Sequence, residues 1–387
     1  MTVGLSLQAT AQNREKDPVS AIVAAPSDLG FDDLPGWAED DHLAALETFR
    51  LSCGPNANPP ETGSLKIDAA AIRALCVKAQ GLEIEDAIAA KRFFETHFVP
   101  VRIADPGAAF FTGYFEPEVP GSRERTERFS TPLLKRPDDL VKLTPEIHPE
   151  TLDPALEWAR RTKNGLVEHP DRAAIMDGAL DGRGLELVWV EDPVDAFFVH
   201  VQGSARIRLS DGSAMRVGFA GKTGHPYSSV ARMLVEAGEF APEDLTADVL
   251  KAWLKAHPER ARRLIAKNRS FIFFRELTGL DPDLGPVGAA GVQLTAGRSI
   301  AVDRRFHTLG TPVYVAVDLP QESGEQPMPY RRLMVAEDTG SAIVGAARGD
   351  LFIGSGEAAG LFAGRIRHRG DFFVLVPRTG AVSDGQR

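Results

Sequence analysis

The sequence has no long apolar run, almost no cysteine and no excess of basic charge. No stretch approaches the roughly eighteen apolar residues that a membrane-spanning helix needs, which excludes helical spans. Lys and Arg number 44 against 54 Asp and Glu, a formal net charge of -10. With no basic stripe beyond local clusters such as residues 365–369, the balance argues against a nucleic-acid partner and for an uncharged or locally paired substrate. Cys53 and Cys76 stand alone and are either a disulfide or two buried free thiols. The nine histidines show no ligand spacing, so the cysteines have nothing with which to build a metal cluster. No internal repeat or low-complexity tract appears.

What is present is a well-mixed globular chain of 387 residues, 43% of them hydrophobic, long enough for two or three domains. Its 36 glycines and 27 prolines suit a turn-rich, mostly β protein. Residues 1–12 look like the back end of a signal peptide without its basic start. The expectation for residues 1–30 is a flexible or truncated export segment, with an ordinary tail as the other reading.

Along the chain, Asp40 or Asp41, then Asp68, then a position near Glu85 open three amphipathic helical patterns before residue 97. From residue 98 the period changes to that of strands. In 109–116, Thr112, Tyr114 and Glu116 alternate with Phe111, Gly113 and Phe115, giving a half-buried strand whose polar face carries a hydroxyl, a phenol and a carboxylate. Strands are also expected at 185–190, 196–201, 205–209, 214–219 and 268–276, a helical piece at 152–161, and helices over 227–265. Gln202-Gly203-Ser204 breaks the pattern at what reads as a strand end, as a ligand contact or a bulge.

Three acids stand out near the C-terminus. Asp338 and Asp350 border a glycine-rich segment between the apolar runs 333–336 and 372–376, and read as turn residues either capping their turns or flooring a cleft. Asp303 ends another apolar run beside Arg304 and Arg305, with ion pairing as its plain role. Glycosidic bonds need a proton donor to the leaving oxygen, which a carboxyl of raised pKa supplies.

The motifs FTGYFEPE (111–118), FFVHVQGSARIRLSDG (197–212), YSSVARMLVEAG (227–238), NRSFIFFRE (268–276), GPVGAAGVQLTAGRSIAVDR (285–304), EDTGSAIVGAARGDLFIGSGEAAG (337–360) and AGRIRHRGDFFVLVP (363–377) together resemble the MltA family of lytic murein transglycosylases, with its C-terminal 3D domain. The resemblance implies a mostly β fold: a six-stranded double-psi β-barrel domain from residues 31–119 and 266–387, with N-terminal helices, and a smaller β-rich domain inserted at 120–265. It implies an enzyme that cleaves the β-1,4 bond between N-acetylmuramic acid and N-acetylglucosamine in peptidoglycan and forms 1,6-anhydro ends. A noncatalytic, expansin-like glycan-binding protein is the alternative, and a hydrolase using Asp338 and Asp350 as a pair is a third reading.

By the same resemblance Asp350 is the catalytic acid and Asp338 its support. Thr112, Tyr114, Gln202, Ser204, Asn268, Ser270, Asp303 and Gly354 bind or shape the substrate groove, and Tyr227 or Phe306 stacks on a sugar. No metal or organic cofactor is implied. The expected partners are peptidoglycan strands and cell-wall synthesis or division proteins, in the periplasm with an outer-membrane association. Ser341 stands where the family pattern has a second glycine.

Overall fold

A computed structural model describes residues 29–242, 244–321 and 326–378; the expected export segment lies outside these apart from its last two residues. Three helices come first: α1 (His42–Leu51), α2 (Ala69–Gln80) and α3 (Ala87–His97). Each begins on an aspartate whose carboxylate accepts an otherwise unpaired N–H of the first turn, Asp41 from Ala44, Asp68 from Ala70 and Asp86 from Ala89. A disulfide joins Cys53 to Cys76, closing the open choice between bonded and free thiols, and ties the end of α1 to α2.

The main sheet runs in the order β1 (Phe98–Arg102), β16 (Arg367–Pro377), β13 (Pro312–Leu319), β14 (Met328–Asp338), β12 (Ser299–Val302), β15 (Arg348–Ser355) and β2 (Ala109–Glu116). β2 also pairs with β16, so six of these strands form a closed ring and β1 extends one edge of β16. β12 with β14, and β15 with β2, are parallel; the other pairings of this sheet are antiparallel. Closure leaves the ring without an exposed edge. Phe111 and Phe372 pack against each other inside it, Tyr314 and Leu333 lie on the outer face with Tyr314 against Trp37, and α1 and α3 cover it through Leu46, Phe49 and Phe94, all fully buried.

A second sheet takes the order β11 (Ile272–Leu277), β10 (Ala214–Lys222), β9 (Ser204–Leu209), β3 (Glu118–Ser122), β8 (Glu186–Val190) and β4 (Thr131–Leu134). A small third sheet holds β5 (Leu140–Lys142), β6 (Trp158–Thr162) and β7 (Gly165–Val167). The helices α4 (Arg172–Met176), α5 (Pro193–Gln202), α6 (Val230–Glu236), α7 (Ala247–Ala256) and α8 (Pro258–Lys267) accompany them, and α9 (Glu357–Gly364) follows β15.

Two sequence expectations are corrected. Residues 196–201 are helical. Asp192 caps the helix through Val194 N at 2.7 Å, Pro193 occupies its first turn, and Gly203, at φ +79, ends it. Val194, Phe197, Val199 and His200 recur at helical spacing and are buried, so the run is a packed helix despite its β-branched content. The helix expected at 152–161 is instead a turn followed by β6, because Trp158 and Ala159 are buried by pairing with β5.

Candidate active site

A groove of about 420 Å³ is lined from one side by β2, β12, β15 and the segment 338–343, and from the other by α5, α7 and residues 268–272. Asp350 lies on its floor. It is a strand residue of β15 and not the turn residue that the glycine-rich sequence suggested. The register sets its neighbours: Asp350 stands opposite Thr112 on parallel β2 and opposite Ala301 on antiparallel β12. Ala301 also stands opposite Asp338 on β14. The two acids therefore flank one alanine, two strand spacings apart, about 10 Å between Cα atoms, and do not face each other across a hairpin.

Their environments differ. Thr112 donates its hydroxyl to Asp350 Oδ1. Burial pushes the Asp350 carboxyl up to about 6, with the Thr112 bond and the Arg348 charge pulling down and the Asp338 charge adding to the rise. Asp338 accepts three hydrogen bonds, from Ala289 N at 3.0 Å and Thr339 N at 2.9 Å on Oδ1 and from Tyr114 Oη at 3.0 Å on Oδ2. Burial raises its pKa as well, while those donors favour its anion. With three donors against one, Asp338 is the better-supported carboxylate and Asp350 the natural holder of a proton. Such a floor can hand a proton to a leaving oxygen and take one back.

Of the other residues expected in the site, Thr112, Tyr114, Gln202, Asn268, Ser270 and Tyr227 line the groove. Gln202 accepts from Phe115 N at 3.4 Å, and Asn268 Oδ1 holds Ser228 N at 3.1 Å. Ser204, Asp303 and Gly354 are not among its lining residues. Ser204 is buried in β9 opposite Gly218. Asp303 binds Arg305 and accepts Gly345 N at 2.8 Å, stapling the loop that joins β14 to β15. Burial pushes the Asp303 carboxyl up, but Arg305 and the Gly345 amide outweigh it and hold the pKa below the ordinary value. Gly354, at φ +138, packs beside Ala296 and Ala359. Phe306 packs on the barrel core and not on the groove.

Sequence reasoning missed Arg348, Arg172 and the Ala289 amide. Arg348 stands two residues before Asp350 on one strand and so on the same face, a signal that period-two reading offers. Arg172 is buried in the groove wall and donates to the carbonyls of Asn268 at 3.0 Å and Ser270 at 2.5 Å, holding that segment in place. The Ala289 contact is made by backbone and leaves no side-chain signature.

Known proteins resemble this chain in both sequence and fold. Residues 110–275 match the MltA specific insert domain and residues 298–376 match the 3D domain. The membrane-bound lytic murein transglycosylase A of Vibrio cholerae is 33% identical over 273 residues, an alignment that spans 70% of this chain and 66% of that protein. The crystal structure of a membrane-bound lytic murein transglycosylase from Agrobacterium tumefaciens superposes with a TM-score of 0.84 at 40% identity, covering 91% of this chain and 98% of that one. The E. coli MltA structure with bound chitohexaose has a TM-score of 0.64 at 26% identity, covering 90% and 92%. The chain belongs to the MltA family of lytic murein transglycosylases.

Proposed function

We propose that this chain is a lytic transglycosylase that cleaves the β-1,4 bond between N-acetylmuramic acid and N-acetylglucosamine in peptidoglycan, with Asp350 as its acid and Asp338 as the supporting carboxylate. The observation that carries the reading is one carboxyl, Asp350, half-buried on a groove floor, its pKa pushed up to about 6 by desolvation, with a single hydroxyl donor. Asp350 gives its proton to the glycosidic oxygen as the bond from C1 of the muramic residue breaks. The muramic C6 hydroxyl attacks C1 and returns its proton to the Asp350 carboxylate, so the 1,6-anhydro ring forms and the acid is restored. The nucleophile is part of the substrate, which removes the need for a second carboxylate to activate water. Asp338 suits support better than base catalysis, because both its oxygens are already engaged by donors.

Thr112, Tyr114, Gln202, Asn268 and Ser270 fit the role of groove residues for sugar hydroxyl and N-acetyl groups. The closed six-stranded ring with two parallel pairings supports a double-psi barrel. In this reading residues 31–119 and 266–387 form the barrel domain and 120–265 the insert, with β3 and β11 as the strands where the chain crosses. The substrate puts the protein in the periplasm, beside the outer membrane and the proteins of wall synthesis and division.

Mass spectrometry of products released from purified peptidoglycan tests the assignment. Wild type should yield anhydro-muropeptides and Asp350→Asn none. Hydrated reducing ends would replace the transglycosylase with a hydrolase, and glycan binding without products from wild type would favour the noncatalytic reading.

A further inference from the structure

Beside Asp350 lies a cation that the proposed chemistry does not use directly. Arg348 Nη2 donates to Thr112 Oγ1 at 2.6 Å, and Thr112 Oγ1 in turn donates to Asp350 Oδ1. The guanidinium is fixed in this pose by the carbonyls of Gly349 and Phe110 and by the Phe110 ring, 5.3 Å from its centre. Arg348, Asp350 and Thr112 all line the groove. A guanidinium donates only, whereas a hydroxyl has one proton to give. Once Arg348 occupies a lone pair of Thr112, the remaining Thr112 proton points to Asp350 Oδ1, its one acceptor among the described residues.

We propose that Arg348 is a positioning residue that, through Thr112, keeps Oδ1 of Asp350 as an acceptor and confines the transferable proton to Oδ2. A proton on Oδ1 would leave the Thr112 hydrogen facing a neutral carboxyl hydroxyl, a weaker acceptor than the bare oxygen. The relay therefore sets which carboxyl oxygen meets the glycosidic oxygen. The Arg348 charge also favours the Asp350 anion, opposing burial and the Asp338 charge, so it keeps the acid able both to lose and to regain its proton. This inference rests on Asp350 being the acid.

The test is the pH profile of anhydro-muropeptide release by the full chain, with chitohexaose binding and thermal melting measured alongside. Arg348→Gln should lower kcat about tenfold with KM little changed, and should move the midpoint of the alkaline limb upward. Arg348→Lys, which keeps charge and a donor, should bring the midpoint back toward wild type. Thr112→Val removes the relay from its other end and should shift the midpoint in the same direction. The double variant should lose little more than the larger single loss, since the two residues act as one unit. A wild-type midpoint and kcat in Arg348→Gln overturn the proposal, as does a loss seen only in KM or melting temperature. If Arg348 variants do not fold, Thr112→Val decides: an unmoved midpoint there overturns it. Asp350→Asn separates the two readings, because residual activity in that variant removes the acid itself, whereas an inert Asp350→Asn with an unmoved Arg348→Gln profile removes only the relay.

Discussion

Glu337, where the barrel wall meets the end of α1, provides a test of the fold that is independent of catalysis. It precedes Asp338 on β14, where the pairing with β12 shifts register, and its carboxyl lies between Ser52, just after α1, and Ser299 of β12. It is fully buried, accepts a hydrogen bond from Ser52 at 2.9 Å and another from Ser299, and has no ion-pair partner among the described residues. Burial pushes its carboxyl from about 4.5 up to about 8; the two serines oppose the rise and the Asp338 charge adds to it. Below pH 4.5 the group is neutral in folded and unfolded chains alike and its effect on stability is absent. Between 4.5 and 8 the unfolded chain ionises while the folded one does not, so stability falls by about 1.4 kcal/mol per pH unit, and above 8 the loss levels off. Glu337→Gln keeps the shape and the acceptor for Ser52 without the titration. The variant should match wild type near pH 4 and exceed it by about 3 kcal/mol at pH 7. Urea unfolding at pH 4, 7 and 9 measures this directly. A stability difference that does not change with pH would refute the claim that Glu337 is held neutral in the fold.

Other consequences are open to the same kind of measurement. The kcat/KM of wild type should fall above about pH 6 as Asp350 loses its proton, and a flat profile to pH 8 in peptidoglycan digestion would contradict its role as acid. Tyr114→Phe removes one of three donors to Asp338 and should cost roughly 1–2 kcal/mol in kcat/KM; full activity would make the phenol dispensable. Replacing Cys53 and Cys76 by serine opens a 23-residue span and should lower stability by about 3 kcal/mol in denaturant titration. Ala301→Leu should abolish hexasaccharide binding while circular dichroism stays native, because the added atoms rise between the two acids.

The local signals were legible in the sequence and the long-range ones were not. Asp41, Asp68 and Asp86 cap helices because a carboxylate before an apolar periodic run has few other uses, and the 109–116 alternation lies on the page for any reader. That alternation still misled at Glu116. Thr112 and Tyr114 face the groove, but Glu116 is fully buried and held by Arg206 and Arg216, each at 2.9 Å, cations drawn from another sheet. The run 196–201 has a strand's composition, and only its cap and the packing of Phe197 decide for helix. Asp303 had the residue type of a site acid, yet its direction is set by a loop 42 residues later. Resemblance singled out Asp338 and Asp350 without showing that Asp350 stands inside a strand.

The two acids share one groove because distant strands pair. Thr112 and Asp350 are 238 residues apart, and they meet because β15 runs parallel to β2, a pairing that no turn between them can enforce. Ring closure fixes it: β2 is held on its other edge by β16, so sliding β15 by one residue would require the closed sheet to open. Such a slip would also turn Asp350 inward and Gly349 outward, reversing every side chain of the strand. Gly349 cannot tolerate much there, since a Cβ on it would sit 2.7 Å from Ile300 Cδ1. The same interior packing that stabilises the barrel thus holds Asp350, Thr112 and Arg348 on one face, and the short side chain of Ala301 leaves the space between the two carboxyls open to a sugar ring.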